Sequence, residues 1–236
     1  MSCHTVIITG ATKGLGRATA LAFAQAGDRV IGLYSADEAA AAKLQSELQL
    51  FGGGSFVVRH NVGTDNTVLW SRPEIQEAAS LVLINNACAP FTPQPFHRLR
   101  WEDCESGLNV ALKGSWLCSR ELLRPMARAG CGTIVNVLTT ALHGLPPKGF
   151  AAYVVAKHSL RGLTLALAAE YTGKGIRVFS VSPGFMSTAF TAGWDAHLVN
   201  AIHASAAMSD PADAARRIRE LVEAPGMPGR GEDYRI

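Results

Sequence analysis

The chain has 236 residues, 48% of them hydrophobic and 17% charged, which excludes a disordered segment and is enough to bury one large core. The formal net charge of +3 is small for this length and forms no basic stripe, so a nucleic-acid partner is not expected; the excess of Lys and Arg is better sought beside an anionic small molecule. Five cysteines without a C-x-x-C pair, no apolar run near the ~20 residues of a membrane helix, and no charged lead or cleavage site point to a cytoplasmic protein in a reducing compartment, away from membranes.

Short β-branched runs alternate with longer helical patterns. Residues 5–9, 29–34, 55–59, 81–84, 133–137 and 177–181 each read as a buried strand, because continuous apolar runs are what a parallel sheet covered on both faces requires. Helices are predicted over 15–26, 36–50, 101–129, 150–172 and 211–223. Asp210 and Pro211 give the last one a cap and a first-turn proline. Between the third and fourth strands Pro73 interrupts the pattern, leaving room for a short helical piece only. Strands separated by helices make right-handed βαβ units, and the fold class is α/β with a doubly wound parallel sheet. No repeat or linker divides the chain, so one domain is expected, with residues 188–209, rich in small side chains, as a short mobile cover over a site.

The first strand runs into Thr9-Gly10-Ala11-Thr12-Lys13-Gly14-Leu15-Gly16 and then into a helix. In that context Gly10 permits a tight turn, Gly14 lets the backbone approach a pyrophosphate, and Gly16 allows close helix–strand packing, with free N–H groups at the helix N-terminus facing the phosphate. The second strand ends in Leu33-Tyr34-Ser35, without the carboxylate that usually binds a ribose 2′-hydroxyl. Lys13, with Arg17 or Arg59 as helpers, is placed to pair with a 2′-phosphate, so NADP(H) is the expected cofactor.

The G-x-x-x-G-x-G spacing resembles that of the short-chain dehydrogenase/reductase family, and four further stretches do so in the same order. Asn85-Asn86-Ala87-Cys88 is similar to the family's N-N-A-G, Asn109 stands in an N-V-A-L-K-G context like that of its active-site asparagine, Tyr153-Val154-Val155-Ala156-Lys157 is a Y-x-x-x-K, and Ser182-Pro183-Gly184 matches a P-G motif followed by Thr188. The resemblance implies a Rossmann-type fold and a site in which Tyr153, Lys157, Asn109 and a hydroxyl carry the chemistry. It implies a nicotinamide cofactor held by Gly10, Thr12, Lys13, Gly14, Leu15, Gly16, Asn61, Val62, Asn86, Ala87, Tyr153, Lys157, Pro183, Gly184 and Thr188. The family most resembled is that of the 3-oxoacyl-thioester reductases, which implies a ketone or acyl-thioester substrate, no metal, and a homodimer or homotetramer.

Three positions depart from the pattern. The family's catalytic serine is replaced by Thr139-Thr140; counting back from Tyr153 favours Thr140, counting forward from Asn136 favours Thr139, and Thr140 is preferred. Cys88 stands for a glycine and reads as a small buried apolar residue. Asn61-Val62 stands for Asp-Val beside the adenine. Tyr153 and Lys157 are four apart and share a helix face, so the ammonium, together with the positive nicotinamide of the oxidised cofactor, is expected to lower the phenol's pKa. Leu142, Pro146, Phe150, Phe185 and Trp194 are candidates for an apolar substrate wall, and His143 for a substrate contact. The competing reading is a nucleotide-binding regulatory or scaffold protein that kept the fold and lost turnover.

Overall fold

In the computed structural model, which describes residues 4–64, 68–186, 190–191, 193–205, 208–224 and 229–236, seven strands form one sheet in the order β3-β2-β1-β4-β5-β6-β7. They are β1 (Thr5–Thr9), β2 (Arg29–Tyr34), β3 (Phe56–Arg59), β4 (Leu81–Asn85), β5 (Gly132–Val137), β6 (Ile176–Ser182) and β7 (Arg230–Arg235), and every pairing is parallel. The chain steps outward from β1 to β3, then returns to lay β4 on the other side of β1. At that reversal the loops leaving β1 and β4 part, which opens a crevice at the carboxyl ends of the strands.

Successive residues of a strand face opposite layers. Val6 and Ile8 join Phe23, Leu44, Leu48, Ile218 and Leu221 on one face, under α1 (Gly14–Gln25), α2 (Glu38–Gln49) and α8 (Pro211–Glu223). Ile7 joins Leu83, Leu122, Met126 and Ile134 on the other, under α5 (Ser115–Ala129), with α6 (Ala151–Tyr171) beside it. Burial of each such aliphatic side chain contributes roughly 1.5–3 kcal/mol, which is why the six apolar strands are the frame on which the loops are hung.

The predicted 101–129 helix is present with an internal change of geometry. α4 (Trp101–Leu108) passes into a π-helical stretch, Asn109–Gly114, before α5. Gly114 is the reason the stretch lies close to the sheet: a Cβ there would sit 2.6 Å from Val62 Cγ2. The short piece at Pro73 is α3 (Pro73–Gln76), and Asp210 caps α8 by accepting from Ala212 N and Asp213 N at 2.7 and 3.2 Å. Besides the short 3-10 turns Phe96–Arg98 and Thr140–Leu142, two elements have no counterpart in the sequence reading, namely α7 (Ala196–Ser205) within the expected cover and the edge strand β7. Among the described residues no helix is long and apolar enough to cross a membrane, and no group of His, Cys, Asp and Glu is placed to hold a metal ion.

Candidate active site

The turn after β1 is shaped by what its glycines lack. Gly10 and Gly14 have φ of 64° and 49°, the left-handed region that a side chain disfavours. At Gly16 a Cβ would stand 2.2 Å from the Gly10 carbonyl oxygen and 2.6 Å from Asn86 Nδ2. That approach lets the Asn86 amide donate to the carbonyls of Thr9 (3.0 Å) and Gly10 (3.1 Å). In return, Thr9 Oγ1 accepts from Asn86 N and Ala87 N, both at 2.9 Å. Thr9 is thus the pin between the glycine turn and the Asn-Asn-Ala segment. The α1 N-terminus above it carries no side-chain cap on Lys13, leaving N–H groups suited to an anion.

A second polar chain holds α6 to the sheet. Asn85 Nδ2 donates to Asn136 Oδ1, and Asn136 Nδ2 donates to Thr164 Oγ1, both at 2.8 Å, tying β4, β5 and α6 together beneath Tyr153 and Lys157. Lys157, 3% exposed, donates from Nζ to the Val137 carbonyl at 2.7 Å and lies 6.0 Å from the Tyr153 ring centroid. Burial pulls its ammonium below the ordinary lysine range, with the Cys88 thiol acting in the opposite sense. Burial drives the Tyr153 phenol well above its ordinary range; Cys88 adds to the rise and a hydrogen bond with the Thr139 hydroxyl opposes it. The lowering expected from Lys157 together with a positive nicotinamide belongs to the cofactor complex; in the protein alone the ammonium is turned to Val137 and desolvation dominates.

These groups share a cavity of about 1290 Å³ that runs from the glycine turn to the end of β6. Gly10, Lys13, Gly14, Leu15, Gly16, Asn86, Ala87, Thr139, Thr140, Tyr153, Lys157, Pro183 and Gly184 all lie on its wall. Four expected site residues do not. Thr12 is buried away from the wall, Val62 packs against Gly114, and Asn61 is exposed with Oδ1 accepting from Gly63 N at 3.1 Å. Asn109 opens the π-helical stretch as an exposed residue, while Ala111 and Gly114 are the buried residues of that stretch. Thr188 lies outside the described residues.

Both threonines of the pair lie on the cavity wall, in different settings. Thr140 begins a short 3-10 turn, and it is the Thr139 hydroxyl that meets the Tyr153 phenol and accepts from Ala141 N at 3.2 Å. Cys88, read as buried packing, lines the cavity next to Tyr153 and Lys157, and burial raises its thiol while the Lys157 ammonium opposes that. Lys13 is ion-paired with Asp37, whose carboxyl it holds below the ordinary range. Arg17 is committed to Glu47 on α2 and Arg59 to Glu38 and the Ser35 carbonyl, so neither stands ready beside Lys13.

Opposite the glycine turn the wall is aromatic. Phe91 stacks on Tyr153 at 4.7 Å between centroids and 9° between planes, and meets Phe150, Phe190 and Trp194 at 5.2, 5.6 and 5.0 Å. Trp194 Nε1 donates to the Phe91 carbonyl at 2.9 Å. Phe150, Phe185, Trp194 and Pro146 therefore line the cavity as expected, whereas Leu142 is withdrawn into a core cluster with Leu138, Leu160 and Leu163. Phe91 and Phe190 were missed: single aromatics in loops carry no spacing signal. His143, on the wall, stands 2.9 Å from Asp233 Oδ2.

A model of the family described as short chain dehydrogenase matches residues 4–198. The chain is 29% identical over 228 residues to a 3-oxoacyl-[acyl-carrier-protein] reductase of Synechocystis sp., covering 95% of this chain and 91% of that one. It is 31% identical over 226 residues to a cis-4-hydroxycyclohexanecarboxylate dehydrogenase of Sinomonas cyclohexanicum, covering 94% and 87%. A structure from Beutenbergia cavernae assigned as an NAD(P) dependent gluconate 5-dehydrogenase, with NADP bound at low occupancy, superposes with a TM-score of 0.83 at 25% identity, covering 100% and 95%.

Proposed function

The chain belongs to the short-chain dehydrogenase family and is an oxidoreductase acting between an alcohol and a carbonyl, and on that premise we propose that it reduces a ketone with NADPH, Tyr153 giving the proton. The observation that carries this is the Tyr153 phenol, hydrogen-bonded to Thr139, on the wall of a cavity continuous with the glycine turn. A neutral phenol placed there is the proton donor that reduction of a carbonyl needs.

The residues fit a dinucleotide. The uncapped α1 N-terminus with Gly14, Leu15 and Gly16 would take the pyrophosphate; Lys157, with Pro183 and Gly184 on the same wall, would take the nicotinamide half. Bound there, the reduced nicotinamide supplies the hydride. Thr139 orients the substrate oxygen, Tyr153 protonates it, and the Phe91 ring stacked on Tyr153 holds the phenol in place. Lys157 would hold a ribose hydroxyl of the cofactor, its ammonium leaving the Val137 carbonyl to do so.

NADPH is favoured over NADH because β2 ends without a carboxylate and Lys13 is half exposed. A 2′-phosphate would take Lys13 from Asp37, since a phosphate carries more charge than a carboxylate. A ketone or a 3-oxoacyl thioester suits the aromatic wall, as the likeness to the Synechocystis reductase suggests. Trp116, Val155 and Leu165 are exposed on α5 and α6, which supports a homodimer or homotetramer through those helices.

The test is Tyr153→Phe. Loss of the one hydroxyl is expected to lower kcat by about 10²–10⁴-fold while NADPH binding, followed by fluorescence, is retained. Reduction by the variant at the wild-type rate would remove Tyr153 from the mechanism. A wild type that binds NADPH yet reduces nothing across a broad ketone panel would favour the regulatory reading.

A further inference from the structure

Tyr153 stands in the first turn of α6, and its phenol can protonate a substrate oxygen only from one position. The helix fixes its backbone; other rings hold its side chain. Phe91 stacks on it at 4.7 Å and 9°, and Phe150 meets it edge-on at 6.0 Å and 86°. Phe150 is buried and tied to the helix, its carbonyl accepting from Val154 N at 2.8 Å. Phe91 has no such support from its own surroundings. It belongs to a stretch that forms neither helix nor strand between β4 and the 3-10 turn at Phe96, and it is only half-buried.

Phe91 is anchored instead by a tryptophan 103 positions away. Among the described residues, one hydrogen bond ties positions 88–93 to another part of the chain, and it is the donation from Trp194 Nε1 to the Phe91 carbonyl at 2.9 Å. The next along the stretch is from Gln94 N to the Gly149 carbonyl at 3.3 Å. The indole is itself wedged, with its ring 5.0 Å from Phe91, 5.3 Å from Phe150 and 5.6 Å from Phe185. It therefore grips both of the rings that pack on Tyr153. An indole has a single donor, and here that donor is spent on the Phe91 backbone.

Resting on the reductase reading above, we infer that Trp194 is a positioning residue for the general acid. Its N–H anchors the Phe91 backbone, the anchored Phe91 ring holds Tyr153, and proton delivery thereby depends on a side chain from beyond β6. A merely structural indole would fill the wall equally well without its N–H. A positioning indole would not, because misplacement of a reacting group by an ångström is costly in rate even when binding is intact.

The experiment uses NADPH with ethyl acetoacetate as the probe ketone, together with NMR of protein labelled at the tyrosine ε carbons. The Tyr153 signal is identified by its absence in Tyr153→Phe. Trp194→Phe keeps a ring on the wall and removes the donor. It is expected to lower kcat about five- to tenfold, with KM for NADPH and for the ketone staying within about threefold. The Tyr153 signal should move in the same variant as the Phe91 ring shifts off the phenol. Phe91→Leu should lower kcat about 10–30-fold. The double variant should be no slower than Phe91→Leu alone, because the donor reaches the phenol only through that ring. Wild-type kcat in Trp194→Phe, an unmoved Tyr153 signal, or losses that multiply in the double variant would each overturn the inference and leave the reductase standing. A Tyr153 signal that moves in both single variants, in a protein whose wild type reduces neither ethyl acetoacetate nor any other ketone, would uphold the link from Trp194 to Tyr153 and overturn the reductase.

Discussion

The two ends of the cleft are built on opposite plans. At the glycine turn the wall is backbone, held at distances that leave no room for a side chain: Gly16 against the Gly10 carbonyl, Asn86 across both. At the aromatic end it is large side chains from two separate segments, Phe150 and Tyr153 at the start of α6 and Phe185, Phe190 and Trp194 beyond β6, with Phe91 packed against Tyr153 and Trp194. A backbone wall accepts one solution, so injury there is abrupt. A side-chain wall can repack, so injury there is graded and falls on substrate choice.

The largest effect is therefore expected at Gly16. In Gly16→Ala the added methyl meets the Gly10 oxygen at 2.2 Å, and a carbonyl in a tight turn cannot retreat as a flexible side chain would. The variant should lose roughly 3 kcal/mol of stability or more and all measurable NADPH binding, read by chemical denaturation and fluorescence titration. Wild-type binding in this variant would show that the turn is more pliant than its geometry implies. Second in size is the threonine pair. Thr139→Ala removes the hydroxyl that touches Tyr153 and is expected to cost about 10²-fold in kcat, while Thr140→Ala should stay within a few-fold and Thr139→Ser should recover most of the loss. The reverse ranking would move the site to Thr140.

The same contrast decides what could be read from the sequence. The six apolar strands and the glycine turn were legible because their physics imposes a period or a fixed spacing. β7 was not: Arg-Gly-Glu-Asp-Tyr-Arg pairs with β6 alone and has no alternation of its own, and Asp233 is accommodated only because Ser180 and Ser182 lie across from it. The π-helical turn after α4 was not legible either: its extra residue shifts the phase of the helix face, so spacing along 101–129 does not tell which side chains face the cleft. Thr140 was preferred by counting from Tyr153 across a loop whose length the sequence leaves free. Phe91, Phe190 and the His143–Asp233 contact join residues from different segments, and no single stretch announces them.

A third effect, of about tenfold, concerns the cofactor. Lys13 is held by Asp37 in an exposed pair of little energetic consequence, so a 2′-phosphate can claim it. Lys13→Ala should lower kcat/KM for NADPH about tenfold and leave that for NADH within a factor of three, a selectivity worth ~1.4 kcal/mol. Equal use of both cofactors by wild type would sink the proposed preference and turn attention to Asp37 as a ligand for the ribose hydroxyl.

The smallest effect is on stability, and it tests whether Lys157 is kept for function at the fold's expense. Its ammonium is buried with one carbonyl partner, and burial lowers its pKa from the ordinary 10.5. Below the lowered folded value both folded and unfolded chains hold the proton, and there the full cost of burying the charge is present. As pH rises through the lowered folded value, the folded protein releases its proton while the unfolded chain keeps it until 10.5. Over that window the unfolded state binds more protons, and wild-type stability rises with pH. Lys157→Met has a similar shape and no charge, so it should be more stable than wild type by about 1 kcal/mol near pH 7, a Tm gain of about 2–4 °C for a chain of this size. That advantage should shrink steadily toward pH 10.5. The Tyr153 phenol, whose raised pKa costs stability above pH 10, is present in both proteins and cancels in the difference. The variant should at the same time lose NADPH binding and turnover. Thermal melts of the two proteins at matched ionic strength across the alkaline range decide the matter: a gap that stays constant or widens with pH would mean that Lys157 is not a strained cation, and that its place beneath Tyr153 is set by packing against Val137 alone.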